Sequence, residues 1–375
     1  MIKRTQLDFI KKDLQEKLVF IVGPRQVGKT WIARQLIDNF PKDALYLNFD
    51  SLADRKIIEE QSWRRNTELL VLDELHKMDG WKNYLKGLFD TKPKKLNILV
   101  TGSARLDTFR QHGDSMAGRF FLHRLMPLSI KELVDTNQEI DIERLLNRGS
   151  FPEPYLAESL DDANRWRAQY IDGLIRTDIL DFDKLHDFKS MKLLLELLRR
   201  RVASPISYSS LAQDIGIAPN TVKKYIEILE SLFIVFRVSP YSKNIARSLL
   251  KEPKLYFFDN GMVVGEEGQK LENLVAVSLK KHVYGINDYK GQELELSYLK
   301  TKDDKEVDFC INSFDGIESA IEVKLSDNNI SPSLKYFSET YSLKAIQLVL
   351  NIKREYQKGL IEVREVEKFL GELFI

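Results

Sequence analysis

The sequence has little cysteine, no long apolar run and almost no excess of either charge. Its one cysteine, Cys310, excludes an internal disulfide and a cysteine metal cluster, as is typical of a reducing compartment. No apolar run approaches the ~20 residues of a membrane helix, and residues 1–17 lack the apolar core of a signal peptide. A net charge of +1 excludes a globally basic nucleic-acid binder. We therefore expect a cytoplasmic protein without a membrane segment, whose contacts with DNA, if any, come from a local patch.

The most informative segment is a glycine-containing loop between a predicted strand and a predicted helix. The apolar run Leu18–Val22 predicts a buried strand, residues 23–30 read GPRQVGKT, and residues 31–37 have a helical pattern. This is the P-loop pattern in its strand-loop-helix setting, where glycines let backbone N–H groups point at phosphate oxygens. The predicted nucleotide-binding residues are Gly23, Pro24, Arg25, Gln26, Val27, Gly28, Lys29, Thr30 and Trp31.

Two carboxylates follow a second apolar run, LLVLDE at residues 69–74. A strand buried on both faces reads as a continuous apolar run, and its carboxyl end presents ligand-binding groups. Lys29 is predicted to contact the β- and γ-phosphates, and Thr30 to ligate Mg²⁺. We expect Asp73 to hold the metal through water and Glu74 to polarise the water that attacks the γ-phosphate. The alternative is that the two acids cap the following helix.

Strands are also predicted at residues 44–49, 97–101 and 120–125, with helices between them. Five strands alternating with helices predict an α/β fold with a parallel sheet covered on both faces. The guanine-specifying Asn-Lys-x-Asp motif is absent from the sequence, so ATP is the expected nucleotide.

This segment resembles the AAA+ branch of P-loop ATPases in its extra strand before Asp73, its polar fourth-strand tip and its Gly118-Arg119 pair. The resemblance implies that Ser103 or Thr101 senses the γ-phosphate. It also implies that Arg119 is an arginine finger to a neighbouring subunit of a homo-oligomer, supplying fixed charge to the transferring phosphoryl group. Alternatively, Arg119 pairs with an acid at the surface. The rival fingers are Arg105 and Arg110.

A helix-turn-helix pattern occupies residues 206–222, with a turn at Gly216 and a second helix opened by Pro219. The apolar run at residues 233–238 predicts a following strand, which makes a winged helix the favoured interpretation. The side chains predicted to face outward and to reach a DNA groove are Asn220, Lys223 and Lys224, with phosphate contacts from Arg199, Arg200, Arg201 or Lys243. Many winged helices instead pack between domains, and that alternative stays open.

The last part of the chain carries acids on predicted strands. Residues 306–311 and 320–325 alternate so that, if the two strands are neighbours, Asp308, Glu322 and Lys324 share a face. This pattern resembles the restriction-endonuclease-like superfamily, with Glu272 matching the acid of its first helix. The resemblance implies Mg²⁺ bound by Glu272, Asp308 and Glu322, and an attacking water oriented by Lys324. The alternative is a strand pair with a charged outer face.

Taken whole, the chain resembles a widespread prokaryotic family of ATPases with a winged helix and a nuclease-like domain. The family tends to have glutamine where His76 stands, and Tyr-Trp-Arg at residues 298–300. The predicted division is a P-loop AAA+-like domain at 1–135, a helical lid at 136–200, a winged helix at 201–250 and a restriction-endonuclease-like domain at 251–375. The favoured hypothesis is an ATPase that acts on DNA or is regulated by it. The alternative is a nucleotide-controlled interaction protein whose nuclease-like domain is inactive.

Overall fold

The structure is a computed structural model that describes residues 2–40, 43–102, 116–174, 187–242, 252–326 and 329–375. The chain forms two compact units. The first comprises Met1–Pro127 and Ser231–Phe233, and the second comprises Leu128–Glu230 and Ile234–Ile375. The four-part division predicted from the sequence stays a prediction.

The first unit is built around a parallel sheet of the strand order β2-β3-β4-β1-β5. Its elements are α1 (Leu7–Asp13), β1 (Leu18–Val22), α2 (Lys29–Asp38), β2 (Ala44–Asn48), α3 (Leu52–Glu60), β3 (Leu69–Asp73), a 3₁₀ turn (Leu75–Lys77), α4 (Trp81–Thr91), β4 (Asn97–Thr101) and β5 (Phe120–Arg124). The predicted parallel α/β sheet is therefore confirmed.

The central strands are apolar because helices or loops cover them on both faces. Every residue of β1 and β3 is buried. Phe20 of β1 packs edge-on against Phe120 at 5.0 Å between ring centroids and against Trp81 at 6.3 Å. Because all five strands run in parallel, the loops after β1 and β3 leave the sheet at the same edge.

The second unit combines helices with a mixed sheet of the order β12-β13-β11-β10-β9-β8-β6-β7. Its helices are α5 (Ile130–Asp135), α6 (Ile142–Arg148), α7 (Pro152–Leu156), α8 (Leu160–Gly173), α9 (Phe188–Arg199), α10 (Tyr208–Ile215), α11 (Pro219–Ser231), α12 (Glu267–Lys290), α13 (Pro332–Tyr341) and α14 (Val366–Gly371). Its strands are β6 (Val235–Pro240), β7 (Lys254–Phe257), β8 (Glu295–Lys300), β9 (Glu306–Ser313), β10 (Gly316–Lys324), β11 (Ala345–Val349), β12 (Tyr356–Lys358) and β13 (Ile361–Glu365).

The helix-turn-helix pattern forms two helices. Gly216, at φ 82°, ends α10 in the left-handed conformation, and α11 begins at Pro219. An antiparallel hairpin of β6 and β7 follows, but β6 also pairs in parallel with β8. The hairpin is therefore continuous with the sheet that carries the predicted C-terminal site.

The helix predicted between β2 and β3 is α3, which ends where Gln61 adopts a left-handed φ of 51°. Glu272, which the resemblance matched to the acid of a first helix, lies on α12. No helix among the residues with described coordinates is both long and apolar enough to cross a bilayer.

Candidate nucleotide site and C-terminal acidic cluster

The P-loop connects β1 to α2 by a backbone that turns through left-handed conformations. Gly23, Gln26 and Gly28 have φ values of 147°, 60° and 103°. A Cβ on Gly23 would lie 2.1 Å from the carbonyl oxygen of Leu125, so only glycine fits there. The glycine predicted from the phosphate-binding pattern thus has a second role, because it lets the loop pass the chain leaving β5.

Two basic side chains hold this loop from within. The Lys29 ammonium is 8% exposed and donates to the carbonyl oxygens of Gly23 at 2.9 Å and Pro24 at 2.7 Å. The Arg4 guanidinium, 2% exposed, donates to the carbonyl of Val27 at 2.9 Å and to that of Met126. Lys29 was predicted from the motif, whereas nothing in the sequence pattern indicated Arg4.

The remaining predicted P-loop residues vary in exposure. Pro24 and Val27 are buried, and Arg25 and Gln26 are exposed. Trp31 is half-buried on the first turn of α2.

Asp73 ends β3 beside the P-loop, among hydroxyl groups. Thr30 Oγ1 donates to Asp73 Oδ2 at 3.2 Å, and the Tyr46 hydroxyl donates to the same oxygen. Thr101, paired with Asp73 in the β3–β4 register, donates to the other carboxylate oxygen. Burial raises the pKa of Tyr46, and Asp73 raises it further, so the phenol stays protonated and keeps donating. Thr101 was predicted as a γ-phosphate sensor, and Ser103, Arg105 and Arg110 lie outside the described residues.

Glu74 follows in a left-handed conformation, with φ of 56°. Its Oε2 lies 3.5 Å from Lys77 Nζ and 3.7 Å from His76 Nε2. Burial raises the pKa of Glu74, and Lys77 opposes that rise. Glu74 precedes the turn Leu75–Lys77, but its side chain makes no capping hydrogen bond within the described structure. Its arrangement therefore does not match the alternative in which it serves as a helix cap.

The P-loop edge fits Mg²⁺ in its donor chemistry. The Thr30 hydroxyl and the Asp73 carboxylate supply adjacent hard oxygen atoms, and Mg²⁺ usually takes its other ligands from phosphates and water. In the described parts of the chain, no group of three His, Cys, Asp or Glu side chains is arranged to hold a metal. A metal at Asp73 would thus depend on the nucleotide for most of its ligands.

Arg119, the predicted finger, forms an ion pair with Asp90, at 3.0 Å between Nε and Oδ1. Both side chains are partly exposed. The contact matches the surface pair kept as the alternative, and the finger role stays a prediction.

The predicted nuclease-like residues lie on neighbouring strands. β9 and β10 pair antiparallel, with Phe309 opposite Ile321. Asp308 Oδ2 accepts from the backbone N–H of Val323 at 2.9 Å. Lys324 Nζ lies 2.9 Å from Glu322 Oε1. The strand adjacency that the prediction required is therefore present.

A residue that the sequence analysis missed, Lys254 of β7, lies among these acids. Its ammonium is 2.8 Å from Glu306 Oε1, 3.3 Å from Glu272 Oε1 and 3.7 Å from Asp308 Oδ1. The Lys254 side chain is 2% exposed. The Tyr256 hydroxyl also donates to Glu272, at 2.7 Å. We call Lys254, Glu272, Glu306, Asp308, Glu322 and Lys324 the acidic cluster.

Burial dominates the electrostatics of the acidic cluster. Burial, together with the charge of Asp308, raises the pKa of Glu272 to about 8 and that of Glu322 to about 7. Burial alone would lower the pKa of Lys254, but the surrounding carboxylates raise it above its ordinary value. Lys254 is therefore a charged ammonium at neutral pH.

Glu272 and Asp308 do not fit the Mg²⁺ site that the resemblance implied for them. Mg²⁺ is held at about 2.1 Å by oxygen ligands. Glu272, Asp308 and a third acid, Glu306, instead surround an ammonium at 2.8 to 3.7 Å. A positive charge already occupies the position between the carboxylates.

The helix-turn-helix surface is divided as predicted. The inward-facing Val222, Tyr225, Ile226 and Leu229 are buried, and Asn220, Lys223, Lys224 and Glu227 are exposed. Of the predicted phosphate-contacting arginines, Arg199 pairs with Glu196 at 2.9 Å and Arg201 with Asp214 at 2.6 Å, and Arg200 is exposed. Lys243 lies outside the described residues.

Comparison with protein families agrees with the first unit's fold. Residues 15–134 match the family described as an AAA domain. Residues 139–270 match a domain of unknown function, DUF8612, and residues 267–366 match another, DUF4143. The AAA match covers the P-loop, Asp73 and Glu74, so the predicted P-loop ATPase module of AAA type is confirmed at the level of the domain.

Relatives with similar sequences include an uncharacterised protein of Methanocaldococcus jannaschii, 26% identical, in a match covering 88% of this chain and 81% of the relative. An uncharacterised protein of Mycobacterium tuberculosis is 25% identical, over 66% of this chain and 55% of the relative. Among solved structures, the Thermotoga maritima RuvB Holliday junction branch migration motor is 18% identical and covers 63% of this chain and 90% of its own. Its TM-score is 0.34, which is too low to support an argument from its structure.

Proposed function

We propose that this protein binds ATP with Mg²⁺ and hydrolyses the γ-phosphate at the P-loop edge of the first unit. The observation that carries the proposal is the 3.2 Å contact between the Thr30 hydroxyl and the Asp73 carboxylate beside the buried Lys29. These three groups are the metal ligand, the metal-orienting acid and the phosphate-binding cation of a P-loop NTPase. The AAA domain match over residues 15–134 supports the same assignment.

The roles within the site follow from position and charge. On nucleotide binding, the Lys29 ammonium would exchange the loop carbonyls for the β- and γ-phosphate oxygens, which are stronger acceptors because they are charged. Glu74 accepts a proton from the attacking water, and Mg²⁺, when bound, offsets the charge on the phosphates. Thr101 or Ser103 senses the γ-phosphate, and Arg119 acts in a neighbouring subunit of a homo-oligomer.

Calorimetry and turnover of two variants test the proposal. Lys29→Ala should bind MgATP at least about 100-fold more weakly, since it removes a buried charge that pairs with phosphate. Glu74→Gln should retain binding and lose turnover by about 100-fold or more. Lys56→Ala and Glu59→Gln, both on the exposed face of α3, are the matched controls. Wild-type turnover in Glu74→Gln would remove that residue from its role, and absence of any binding heat for MgATP would contradict the whole proposal.

We further propose that the helix-turn-helix and the following hairpin, within residues 201–250 and β7, act as a winged helix that contacts DNA. The supporting observation is the exposed edge of α11, which presents Asn220, Lys223 and Lys224. Lysines on such an edge contact phosphates and make binding depend on salt. ATP turnover in the first unit would then act on DNA or be regulated by it.

Fluorescence anisotropy with duplex DNA over a salt series tests this contact. The double variant Lys223→Ala/Lys224→Ala should bind more weakly and lower the salt slope by about 2. Lys11→Ala/Lys12→Ala, an exposed lysine pair on α1, is the control. An equal slope in both double variants would remove α11 from the DNA interface.

Two candidate functions differ in whether the C-terminal domain cleaves DNA. If it is a live restriction-endonuclease-like domain, it cleaves DNA with Mg²⁺ through Asp308, Glu322 and Lys324. If it keeps only the fold, the protein is a nucleotide-controlled interaction protein, and the ammonium of Lys254 among the acids favours this second candidate. DNA nicking by wild type and Lys324→Ala, with and without ATP and Mg²⁺, distinguishes them. Nicking that requires Lys324 would establish the nuclease.

A further inference from the structure

We propose that Lys254 is the resident cation of the acidic cluster and that it closes the cluster to divalent metal ions. The inference develops the inactive-domain candidate above, and it is independent of ATP hydrolysis in the first unit. It assigns to Lys254 the place that a metal ion would take between Glu272 and Asp308.

The first observation is that carboxylates from two elements converge on one ammonium. Glu272 reaches Lys254 from α12, and Glu306 and Asp308 reach it from β9. The Tyr298 ring of β8 lies on another side, its centroid 5.5 Å from Lys254 Nζ. A buried ammonium is stable when carboxylates and a ring face surround it, since these replace the water that it loses.

The second observation is that the backbone of Lys254 is fixed on both sides. In β7 it pairs with Val238 of β6, and it also forms an isolated antiparallel bridge with Pro205. The preceding residue, Pro253, accepts a hydrogen bond from the backbone N–H of Ile206 at 2.9 Å. Moving the Lys254 ammonium out of the cluster would therefore require either a new side-chain rotamer within a buried site or the loss of these pairings.

The third observation is the charge balance around Lys254. Two further ammonium groups contact the same set of acids, Lys300 at 3.3 Å from Glu306 and Lys324 at 2.9 Å from Glu322. Four carboxylates, those of Glu272, Glu306, Asp308 and Glu322, thus face three ammonium groups. Even with all four carboxylates ionised, a divalent ion added to this set would leave an excess of positive charge among largely buried carboxylates, which is unfavourable.

Titration of the nucleotide-free full chain with Mn²⁺ tests the inference. Binding is measured as the loss of the EPR signal of free Mn²⁺. Wild type and Asp308→Asn should give the same titration, because the acidic cluster takes no metal in either protein. Lys254→Met, which keeps the length of the side chain and removes its charge, should bind one additional Mn²⁺. That additional ion should be absent from Lys254→Met/Asp308→Asn.

The following results would overturn the inference or leave it standing. Mn²⁺ binding by wild type that disappears in Asp308→Asn would overturn it, and this comparison needs no Lys254 variant to fold. A folded Lys254→Met protein that gains no metal would also overturn it, because Lys254 would then not be what closes the cluster. Binding that disappears in Asp73→Asn instead belongs to the nucleotide site, so a failure of the proposed ATPase would remain distinguishable.

Discussion

The P-loop edge of the first unit and the acidic cluster of the second both place carboxylates on or beside strands of a sheet, but the charge of these carboxylates is balanced differently in the two places. Asp73 receives hydrogen bonds from the neutral hydroxyls of Thr30, Tyr46 and Thr101. Asp308, by contrast, lies 3.7 Å from the buried ammonium of Lys254. Hydroxyl groups orient a carboxylate and leave its charge uncompensated, so it can still attract a cation. An internal ammonium compensates that charge permanently.

Acids on adjacent strands therefore do not identify a metal site by themselves. The identity of the surrounding donors decides whether the acids remain available. Three measurements, given in order of decreasing effect, test this contrast.

The largest expected effect is on stability when each site loses its lysine. Lys254→Ala should destabilise the second unit by about 3–5 kcal/mol, because it leaves buried carboxylates without their counter-charge. Lys29→Ala should cost about 1 kcal/mol, since it removes only hydrogen bonds to the carbonyls of Gly23 and Pro24. Urea unfolding followed by circular dichroism measures both. Equal losses of unfolding free energy in the two variants would mean that Lys254 does not balance more buried negative charge than Lys29 does.

The tyrosines that donate to each carboxylate provide a finer comparison. Tyr256 is fully buried and donates to Glu272 at 2.7 Å, whereas Tyr46 is partly exposed and donates to Asp73. Tyr256→Phe should cost about 2–3 kcal/mol and Tyr46→Phe about 1 kcal/mol, because water can replace the lost hydroxyl only at the more exposed site. Free energies of unfolding for both variants check the order. A larger loss for Tyr46→Phe would contradict the assumed difference in water access.

The smallest expected effect is a loss of folding stability of the second unit at acidic pH. Burial and, to a smaller extent, the charge of Lys290 lower the pKa of His282 to about 4. The Nδ1 atom of His282 accepts a hydrogen bond from the backbone N–H of Phe374 at 3.0 Å. Because the folded state favours neutral His282, its contribution to stability is complete above pH 6.5 and is lost as the pH falls toward 4. Between pH 6.5 and 5.5 the loss should be about 1 kcal/mol.

His282→Asn isolates this contribution from the titration of Glu272 and Glu322, whose raised pKa values give the opposite slope. The difference in unfolding free energy between wild type and His282→Asn should shrink as the pH falls. A difference that does not vary with pH would show that folding does not shift the pKa of His282.

The sequence predicted the first unit well because its signals are local. The runs at residues 18–22 and 69–72 are apolar throughout because both strands are buried on both faces. The P-loop glycines, the lysine and the two acids follow these strands directly, so one sheet edge could be inferred from short segments.

The residues that were missed act over long separations in the chain. Arg4 reaches the carbonyl of Met126, 122 positions away, and Lys254 contacts Glu306 only because β7 and β9 belong to one sheet. A lysine at the start of an apolar strand gives no sign of which acids it will contact. Strand alternation placed Asp308 and Glu322 together, but it could not place a lysine from another strand between the acids.

The guanidinium of Arg4 has a practical consequence for work on this protein. It joins the carbonyls of Val27 in the P-loop and Met126 after β5, so the segment before α1 helps to hold the P-loop in place. Removing residues 2–6, or fusing a bulky purification tag directly before them, should make the P-loop more mobile and weaken nucleotide affinity. A flexible spacer should therefore separate any tag from residue 2 when ATP turnover is to be assayed.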